Sequence, residues 1–180
     1  RIFSKTIPIF TTDKKVKLFN VCSGTEAPSA ALSMLTGGCV NHLASCDVNA
    51  DCRLFVLANS KPKHLNNDVA DFLKPKAFCY TCQAQCSTFA EEEPDFYVGG
   101  FPCQPYSNLK PKRWTSEYQP FKTPEAKVFL DISKYLRHNI KKPRVVILES
   151  VYGLLLRNKS GCAPIEVIMG VVLRYGRLEV

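Results

Sequence analysis

The 180-residue sequence has no apolar run near the roughly 18 residues that span a membrane. Its first residues, RIFSKTIPIFTTDKK, lack the apolar core of a signal peptide, and no segment is repeated or of low complexity. These absences favour a soluble globular protein with no membrane partner. The sequence also lacks an initiating Met and ends in the strand-like RLEV. We therefore expect it to be a piece of a longer protein.

The composition is that of a globular domain, with 46% hydrophobic and 22% charged residues. A chain of this length is sufficient for about one domain with its own core. Lys and Arg number 24 against 16 Asp and Glu, which gives a formal net charge of +8. This excess is compatible with a polyanionic partner and equally with a solvated basic surface. The local basic clusters are LKPKRW (109–114) and RHNIKKPR (137–144).

Nine cysteines, an odd number, argue against a disulfide scaffold in a chain of this size. Cys79, Cys82 and Cys86 have the C-x-x-C-x-x-x-C spacing that can begin a zinc or iron–sulfur site. His64 and Cys103 are the nearest candidates for a fourth ligand, and there is no second C-x-x-C pair. We favour the interpretation that these are unliganded thiols in a reducing compartment, and assign no metal ligand. A zinc-stabilised nucleic-acid-binding module remains an alternative hypothesis.

Strand and helix patterns alternate along the chain, which predicts an α/β fold with a mostly parallel sheet and helices on both faces. RVVILE (144–149) is continuously apolar, as in a strand buried on both faces. The segment between the third and fourth predicted strands is expected to be a long cysteine-bearing loop. Predicted strands cover 16–21, 39–47, 63–69, 95–100 and 144–149, and predicted helices cover 29–35, 50–60, 123–139 and 163–176.

Polar and reactive side chains follow the predicted strands where each strand ends. They are Cys22 to Glu26, Asp47, Asp68, Cys103 and Glu149. Parallel sheets of this type bind ligands outside the carboxyl ends of their strands. Five such positions at one edge therefore predict a functional site there.

Three segments resemble motifs of the DNA cytosine-5 methyltransferases. GGFPCQPYS (99–107) resembles their Pro-Cys-Gln signature, LESVYGLL (148–155) their Glu-Asn-Val-x-Gly-Leu-Leu segment, and LFNVCSGTEAPSAAL (18–32) their S-adenosylmethionine loop. The order and spacing also match over roughly residues 16–180. The resemblance implies a Rossmann-like S-adenosylmethionine-dependent methyltransferase fold, truncated before its last strand or strands. It further implies that residues 1–180 are the N-terminal part of a catalytic domain. We expect the target-recognition region and C-terminal motifs to be absent, and this chain alone to be inactive or weakly active.

The resemblance assigns the catalytic roles to Cys103 and Glu149. The Cys103 thiolate would add to C6 of cytosine, which makes C5 nucleophilic enough to accept a methyl group. Glu149 would hydrogen-bond the N3 and N4 edge of the base and donate a proton there. The implied partner is cytosine-containing duplex DNA with the target base flipped out of the stack. An intracellular location follows from the family, and a nuclear one in a eukaryote.

The same resemblance implies S-adenosyl-L-methionine as the cofactor. Cys22, Ser23 and Gly24 would line its methionine end, and Asp47 would hold the ribose hydroxyls. The remaining implied contacts are Val48 against the adenine, Asp68 and Val69 at the adenine amine, and Pro102 close to the cofactor.

The chain departs from the family pattern at four positions. Asn20 stands where the family usually has an acid, Glu26 and Ala27 replace glycines, and Ser150 replaces an asparagine beside Glu149. We expect the Glu26 carboxylate to repel the cofactor carboxylate and weaken binding, and Ser150 to hold Glu149 less firmly. Two alternative functions follow: a catalytically impaired relative that binds nucleic acid or a protein, and a tRNA cytosine-5 methyltransferase.

Overall fold

A computed structural model describes residues 14–88, 92–107, 109, 122–139, 141–157 and 161–173. No helix in these ranges is long and apolar enough to cross a membrane. The strands are β1 (Val16–Val21), β2 (Val40–Cys46), β3 (His64–Asn66), β4 (Lys76–Cys79), β5 (Ala84–Ser87), β6 (Phe96–Gly100) and β7 (Val145–Glu149). The α-helices are α1 (Ala27–Thr36), α2 (Ala50–Asn59), α3 (Ala126–His138) and α4 (Pro164–Leu173). Short 3-10 helices cover Val69–Leu73 and Tyr152–Leu155.

Five strands form one sheet in the order β3-β2-β1-β6-β7, and all of its neighbouring pairs are parallel. This confirms the predicted α/β class. The chain moves outward from β1 through β2 to β3 and then returns to the other side of β1 with β6. The strand order therefore reverses between β1 and β6, and such a reversal opens a crevice at the carboxyl ends of the two strands.

Aromatic side chains fill the face of the sheet that packs against α3. Phe19 of β1 and Tyr97 of β6 stack with ring centroids 5.3 Å apart, and Tyr135 of α3 lies 5.0 Å from Phe19 and 5.6 Å from Tyr97. Phe129, Ile132 and Tyr135 recur at three-residue spacing and are buried, so one face of α3 lies on the sheet. Each such aromatic pair stabilises a core by about 0.5–1.5 kcal/mol beyond its buried area.

The opposite face of the sheet is covered on the side of α1. Successive strand residues point to opposite faces, so Leu18 and Asn20 face away from the aromatic core around Phe19. Helix α1 contacts both β1 and β2. Helices therefore lie on both faces, as the sequence predicts.

The prediction of a long loop between β3 and β6 is wrong. This segment contains the 3-10 helix Val69–Leu73 and an antiparallel hairpin of β4 and β5. Ala77 and Cys79 of β4 are buried while Lys76 and Phe78 are exposed, which is strand alternation over only four residues. So short a pattern, interrupted by cysteines and a four-residue turn, does not stand out in the sequence.

The expectation that RVVILE is buried on both faces is also wrong. Val145 and Ile147 of β7 are 43% and 47% exposed, whereas Val146 and Leu148 pack against the core. Among the described strands, β7 is paired with β6 alone and lies at the edge of the sheet. The face of β7 that carries Val145 and Ile147 is only partly covered by other described residues.

One predicted helix start differs from the structure, and one predicted helix end cannot be compared with it. Helix α3 starts at Ala126 and not at residue 123, and the Thr123 hydroxyl accepts a hydrogen bond from the Ala126 N–H at 3.3 Å. The predicted last helix reaches residue 176, and its end at 174–176 lies outside the described residues.

We predict that Gly99→Ala destabilises the protein and that the neighbouring Gly100→Ala does so much less. A Cβ at Gly99 would lie 3.0 Å from Val21 Cγ2 and 3.3 Å from Leu148 Cδ2, so two core side chains would have to shift. Overpacking of this kind costs about 1–3 kcal/mol. At Gly100 the closest atom is 3.6 Å from the added Cβ, an ordinary contact. Urea unfolding of both variants measures the difference, and equal stabilities would contradict it.

Candidate active site

The segment that presents Cys103 is anchored in the core on both sides. Strand β6 ends at Gly100, and the buried Phe101 ring packs against Phe129 at 5.4 Å. Tyr106 is also buried and meets Phe101 edge-on at 5.9 Å. Between them the Tyr106 N–H donates to the Cys103 carbonyl at 2.9 Å, which closes a turn. The turn therefore fixes a half-buried Cys103 beside the carboxyl end of β6.

Glu149 is the last residue of β7 and is paired with Gly100 across the sheet. A Cβ at Gly100 would lie 3.6 Å from Glu149 Oε2 and 3.9 Å from the Cys22 carbonyl. The ends of β1, β6 and β7 therefore converge around Gly100, and Cys103 follows three residues later. The Ser150 hydroxyl is buried and makes no hydrogen bond to any described residue, so it does not hold Glu149.

The loop after β1 is tied to the end of β2. The Gly24 N–H donates to Asp47 Oδ2 at 2.8 Å, and the Ser23 N–H donates to the Cys46 carbonyl at 3.0 Å. Cys22 and Gly24 both have left-handed backbones, with φ of 53° and 52°. Among the described residues, no atom outside residues 23–25 lies within 4 Å of where a Cβ at Gly24 would be, so the loop is open at this point.

The remaining predicted cofactor residues lie along the same edge. Val48 is 66% exposed directly after Asp47, and Asp68 caps the 3-10 helix by accepting from the Ala70 N–H at 3.1 Å. The Val69 side chain is buried in the core, so its backbone is the part nearest the edge. Pro102 is half-buried within the Cys103 segment.

Arg53 of α2 is a residue that sequence reasoning missed. Its guanidinium donates to the Asp47 carbonyl at 2.7 Å and to Asn67 Oδ1 at 2.8 Å. It also lies over the Tyr80 ring, 4.5 Å from the centroid. Arg53 thus joins the ends of β2 and β3 to the β4–β5 hairpin. Its sequence signal was only a cation in the first turns of a helix, which has no specific meaning.

Glu26 lies in a buried polar cluster and not on the open side of the loop. Its side chain is 1% exposed, Oε2 accepts from Asn20 Nδ2 at 2.8 Å, and Oε1 accepts from the Ser45 hydroxyl. Its backbone is left-handed, with φ of 59°, a conformation that glycine adopts without strain. Burial raises the pKa of the Glu26 carboxyl. The prediction that the Glu26 carboxylate repels the cofactor carboxylate assumed that Glu26 faces the open side of the loop, and the structure shows that it does not.

His42 completes this cluster from β2. Its Nε2 lies 3.7 Å from Glu26 Oε2, beyond hydrogen-bond distance. Burial lowers the pKa of His42 to about 4, so the imidazole is neutral at pH 7. The cluster therefore carries no buried positive charge to balance an ionised Glu26.

Comparison with known proteins identifies the family. The family model for C-5 cytosine-specific DNA methylase matches residues 16–169. The chain belongs to this family. The Type II methyltransferase M.BanI of Aneurinibacillus aneurinilyticus is 33% identical over 66 residues, which is 37% of this chain and 14% of that protein.

Two solved methyltransferases share the fold of this C-5 cytosine-specific methylase domain. The S. pombe Dnmt2 methyltransferase superposes with a TM-score of 0.51 at 17% identity, and covers 89% of this chain. The Entamoeba histolytica methyltransferase EhMeth gives a TM-score of 0.52 at 16% identity, also over 89% of this chain. The chain spans 40% and 44% of the lengths of these two structures.

Two cysteines of this methylase domain are poor nucleophiles: Cys22 in the loop after β1 and Cys46 at the end of β2. Burial, with smaller contributions from Asp47 and Asp68, raises the pKa of the Cys22 thiol to about 12. Cys46 is fully buried at the end of β2, and its pKa also lies well above the usual value. Both thiols therefore remain protonated near neutral pH.

We predict that Glu26 makes folding stability fall as the pH rises. Its pKa is 4.5 in ordinary surroundings and is raised in the folded chain, so the folded chain holds the proton more tightly than the unfolded chain. Its stabilising contribution is complete below pH 4.5 and is lost as the pH rises through the raised pKa. The free energy of unfolding of wild type relative to Glu26→Gln should decrease over this range in urea titrations.

Glu92 provides the control, because Lys63 and Lys17 lower the pKa of its carboxyl. The contribution of Glu92 to folding stability should therefore be lost as the pH falls through its lowered pKa, and not as the pH rises. A constant difference between wild type and Glu26→Gln from pH 4.5 upward would contradict the predicted effect of burial.

Proposed function

We propose that this chain is the cofactor-binding and nucleophile-bearing part of a methyltransferase that methylates C5 of cytosine in DNA. The observation that carries the proposal is the convergence of three strand ends: the Cys22 carbonyl and the Glu149 carboxylate lie beside Gly100, and the Cys103 turn follows Gly100 by three residues. Membership of the C-5 cytosine-specific DNA methylase family supports it, and so does the formal net charge of +8, which suits a phosphate backbone.

The residues at the edge fit S-adenosylmethionine, which supplies an electrophilic methyl group. The open backbone at Gly24 allows a ligand to approach the loop closely, and the half-buried Asp47 carboxylate suits ribose hydroxyls. The exposed Val48 offers an apolar surface for an adenine ring, and Asp68 an acceptor for its amine. The remaining parts of the cofactor pocket would be lined by Ser23, Pro102 and the Val69 backbone.

Cys103 and Glu149 would carry the chemistry on the base. Addition of the Cys103 thiolate to C6 forms an S–C6 bond and moves electron density to C5. Glu149, as an acid, would donate a proton at N3 and so offset the charge that develops in the ring. Once C5 has been methylated, its proton passes to solvent, the electron pair of that C–H bond forms the C5–C6 double bond, and the S–C6 bond breaks to release Cys103 as a thiolate. The anchored turn favours this role because a fixed nucleophile needs little reorganisation.

The surroundings of the other thiols favour Cys103 as the nucleophile. Cys22 and Cys46 are held protonated by burial. Cys79, Cys82 and Cys86 lie on the hairpin at the far side of β3 and away from β7. Cys103 is the thiol placed between Pro102 and Gln104 at the carboxyl end of β6.

We predict that the chain binds S-adenosylmethionine and that Asp47→Ala weakens the binding at least about tenfold. The substitution removes both the predicted ribose contact and the acceptor that holds the Gly24 N–H. Asp51→Ala is the matched control, because Asp51 lies in the first turn of α2 and outside the predicted contacts. Isothermal titration calorimetry measures both. Equal affinities for wild type and Asp47→Ala would refute the ribose assignment, and no binding by wild type would favour a catalytically impaired relative.

We predict that an oligonucleotide carrying 5-fluorocytosine forms a covalent adduct on Cys103. Fluorine at C5 cannot leave as a proton does, so elimination is blocked after methyl transfer. The experiment uses the chain extended to the length of the solved relatives, with S-adenosylmethionine present. Peptide mapping should locate the adduct, and Cys103→Ser should abolish it because a neutral hydroxyl is a far weaker nucleophile.

Two further variants test the assignment of roles. Glu149→Gln should slow adduct formation by about 100-fold or more while leaving DNA binding largely unchanged. Cys162→Ser, at an exposed cysteine before α4, should have no effect. An adduct that survives Cys103→Ser would refute the mechanism. If the same adduct formed with tRNA and not with DNA, the tRNA cytosine-5 methyltransferase alternative would be favoured.

A further inference from the structure

Four potential metal ligands converge at the outer side of β3. They are His64 at the start of β3, Cys79 at the end of β4, Cys82 in the hairpin turn and Cys86 in β5, and their ligand atoms all lie within 4.8 Å of one another. Cys79 Sγ is 3.7 Å from His64 Nδ1, and Cys82 Sγ is 3.9 Å from the same nitrogen. Cys103, the other candidate for a fourth ligand in the sequence, is not part of this group.

The two Sγ–Nδ1 separations are close to the edges of a tetrahedral zinc site, and the 4.8 Å limit on all pairs means that the remaining ligand atoms need to close by at most about 1 Å. Bond lengths of about 2.3 Å to sulfur and 2.0–2.1 Å to nitrogen place the ligand atoms of one tetrahedron about 3.6 to 3.8 Å apart. The Cys79 Sγ–His64 Nδ1 distance of 3.7 Å lies within this range, and the Cys82 Sγ–His64 Nδ1 distance of 3.9 Å lies just above it. Three thiolates and one imidazole also form one of the common closed ligand sets of structural zinc.

The hairpin backbone is shaped to bring the cysteines together. The Cys82 N–H points at Cys79 Sγ with a donor–acceptor distance of 3.5 Å, an arrangement that favours a thiolate at Cys79. Gln83 has a left-handed backbone with φ of 54°, which reverses the chain within the turn. Strand β5 then returns with Cys86 opposite Ala77. None of the nine cysteines, all of which are described, forms a disulfide.

We propose that His64, Cys79, Cys82 and Cys86 bind one structural Zn²⁺ ion. Binding displaces the thiol protons of the three cysteines to solvent, and His64 binds as neutral imidazole through Nδ1. A single ion fits better than an iron–sulfur cluster, because the thiolates of a cluster bind different irons and lie farther apart. This replaces the interpretation that these cysteines are unliganded thiols, and it is independent of the proposed methylation.

The ion would fasten the hairpin to the edge of the main sheet. Hydrogen bonds among the described residues also join the hairpin to β3 and the residues before it. The Tyr80 N–H donates to the Leu65 carbonyl at 2.7 Å, Asn66 Nδ2 donates to the Phe78 carbonyl at 3.0 Å, and the Thr81 hydroxyl donates to the Pro62 carbonyl at 3.1 Å. Tyr80 in turn lies under Arg53, which holds the Asp47 carbonyl. A metal at this junction therefore stabilises the β3 side of the sheet, where Asp47 and Asp68 lie, without contacting the cytosine base.

Metal analysis of the purified 180-residue chain tests the proposal. The chain is expressed with added zinc and purified with a reductant but no chelator, and we expect one zinc per chain by plasma mass spectrometry. Replacement by Co²⁺ should give the strong visible absorption of a tetrahedral site and a thiolate charge-transfer band. Removal of the metal with a chelator should lower the midpoint of thermal unfolding.

The variants are chosen to separate metal binding from folding. Cys82 is exposed, so Cys82→Ser should keep the fold by circular dichroism but weaken metal affinity by about 100-fold or more. His64→Asn should have a similar effect. The matched controls are Cys162→Ser and His138→Asn, at exposed positions outside the group, and they should keep one zinc per chain.

Three results would overturn the proposal. The first is wild-type chain that is folded but contains no stoichiometric zinc even after addition of Zn²⁺ under reducing conditions. The second is zinc retained equally by wild type, Cys82→Ser and His64→Asn, which would locate the metal elsewhere. The third is stoichiometric iron with sulfide in place of zinc, which would make the group a cluster site.

Discussion

The parallel pairing of β1 with β2 on one side and β6 on the other is the constraint on which the site depends. It brings the segments after three strands to one edge, and residues 24, 47 and 103 are far apart in sequence. The pairing in turn needs the aromatic contacts among Phe19, Tyr97 and Tyr135, which press α3 onto both central strands. It also needs Gly99, where the close approach of Val21 and Leu148 leaves no room for a side chain.

The loop after β1 shows how one altered motif remains compatible with the fold. A glycine would adopt the left-handed backbone at position 26 without strain, but Glu26 adopts it at a cost. The hydrogen bonds from Asn20 and Ser45 to its carboxylate offset that cost. Asn20 and Glu26 therefore act as a pair. The strand position that usually holds an acid in the family holds the amide of Asn20 here, and this amide donates to the acid Glu26 in the loop. Neither departure from the family pattern is understandable alone.

The sequence predicted features that local patterns determine. Strand β1 covers the predicted residues, Val16–Val21, and the spacing of apolar residues in α3 predicted its buried face. Cys22, Asp47, Cys103 and Glu149 were predicted to lie where strands end, and in the structure each ends a strand or follows one within three residues. Glu26 was predicted with them and is buried instead. Three features could not be predicted because they depend on distant partners. Glu26 turns inward because Ser45 is there to receive it, His64 rather than Cys103 joins the cysteine hairpin, and Arg53 finds two strand ends and Tyr80 only once the sheet has formed.

The half-exposed face of β7 has a consequence for the behaviour of the protein in concentrated solution. Val145 and Ile147 offer apolar side chains on a strand at the edge of the described sheet, and such edges recruit strands from other molecules. The four residues before this strand are Lys141, Lys142, Pro143 and Arg144, and charges and proline beside an edge strand oppose edge-to-edge pairing. We therefore expect this basic segment to oppose association of the chain through the edge of β7. Removing these lysines to probe nucleic-acid binding would promote aggregation as well, so a loss of binding in such variants has to be separated from a loss of solubility.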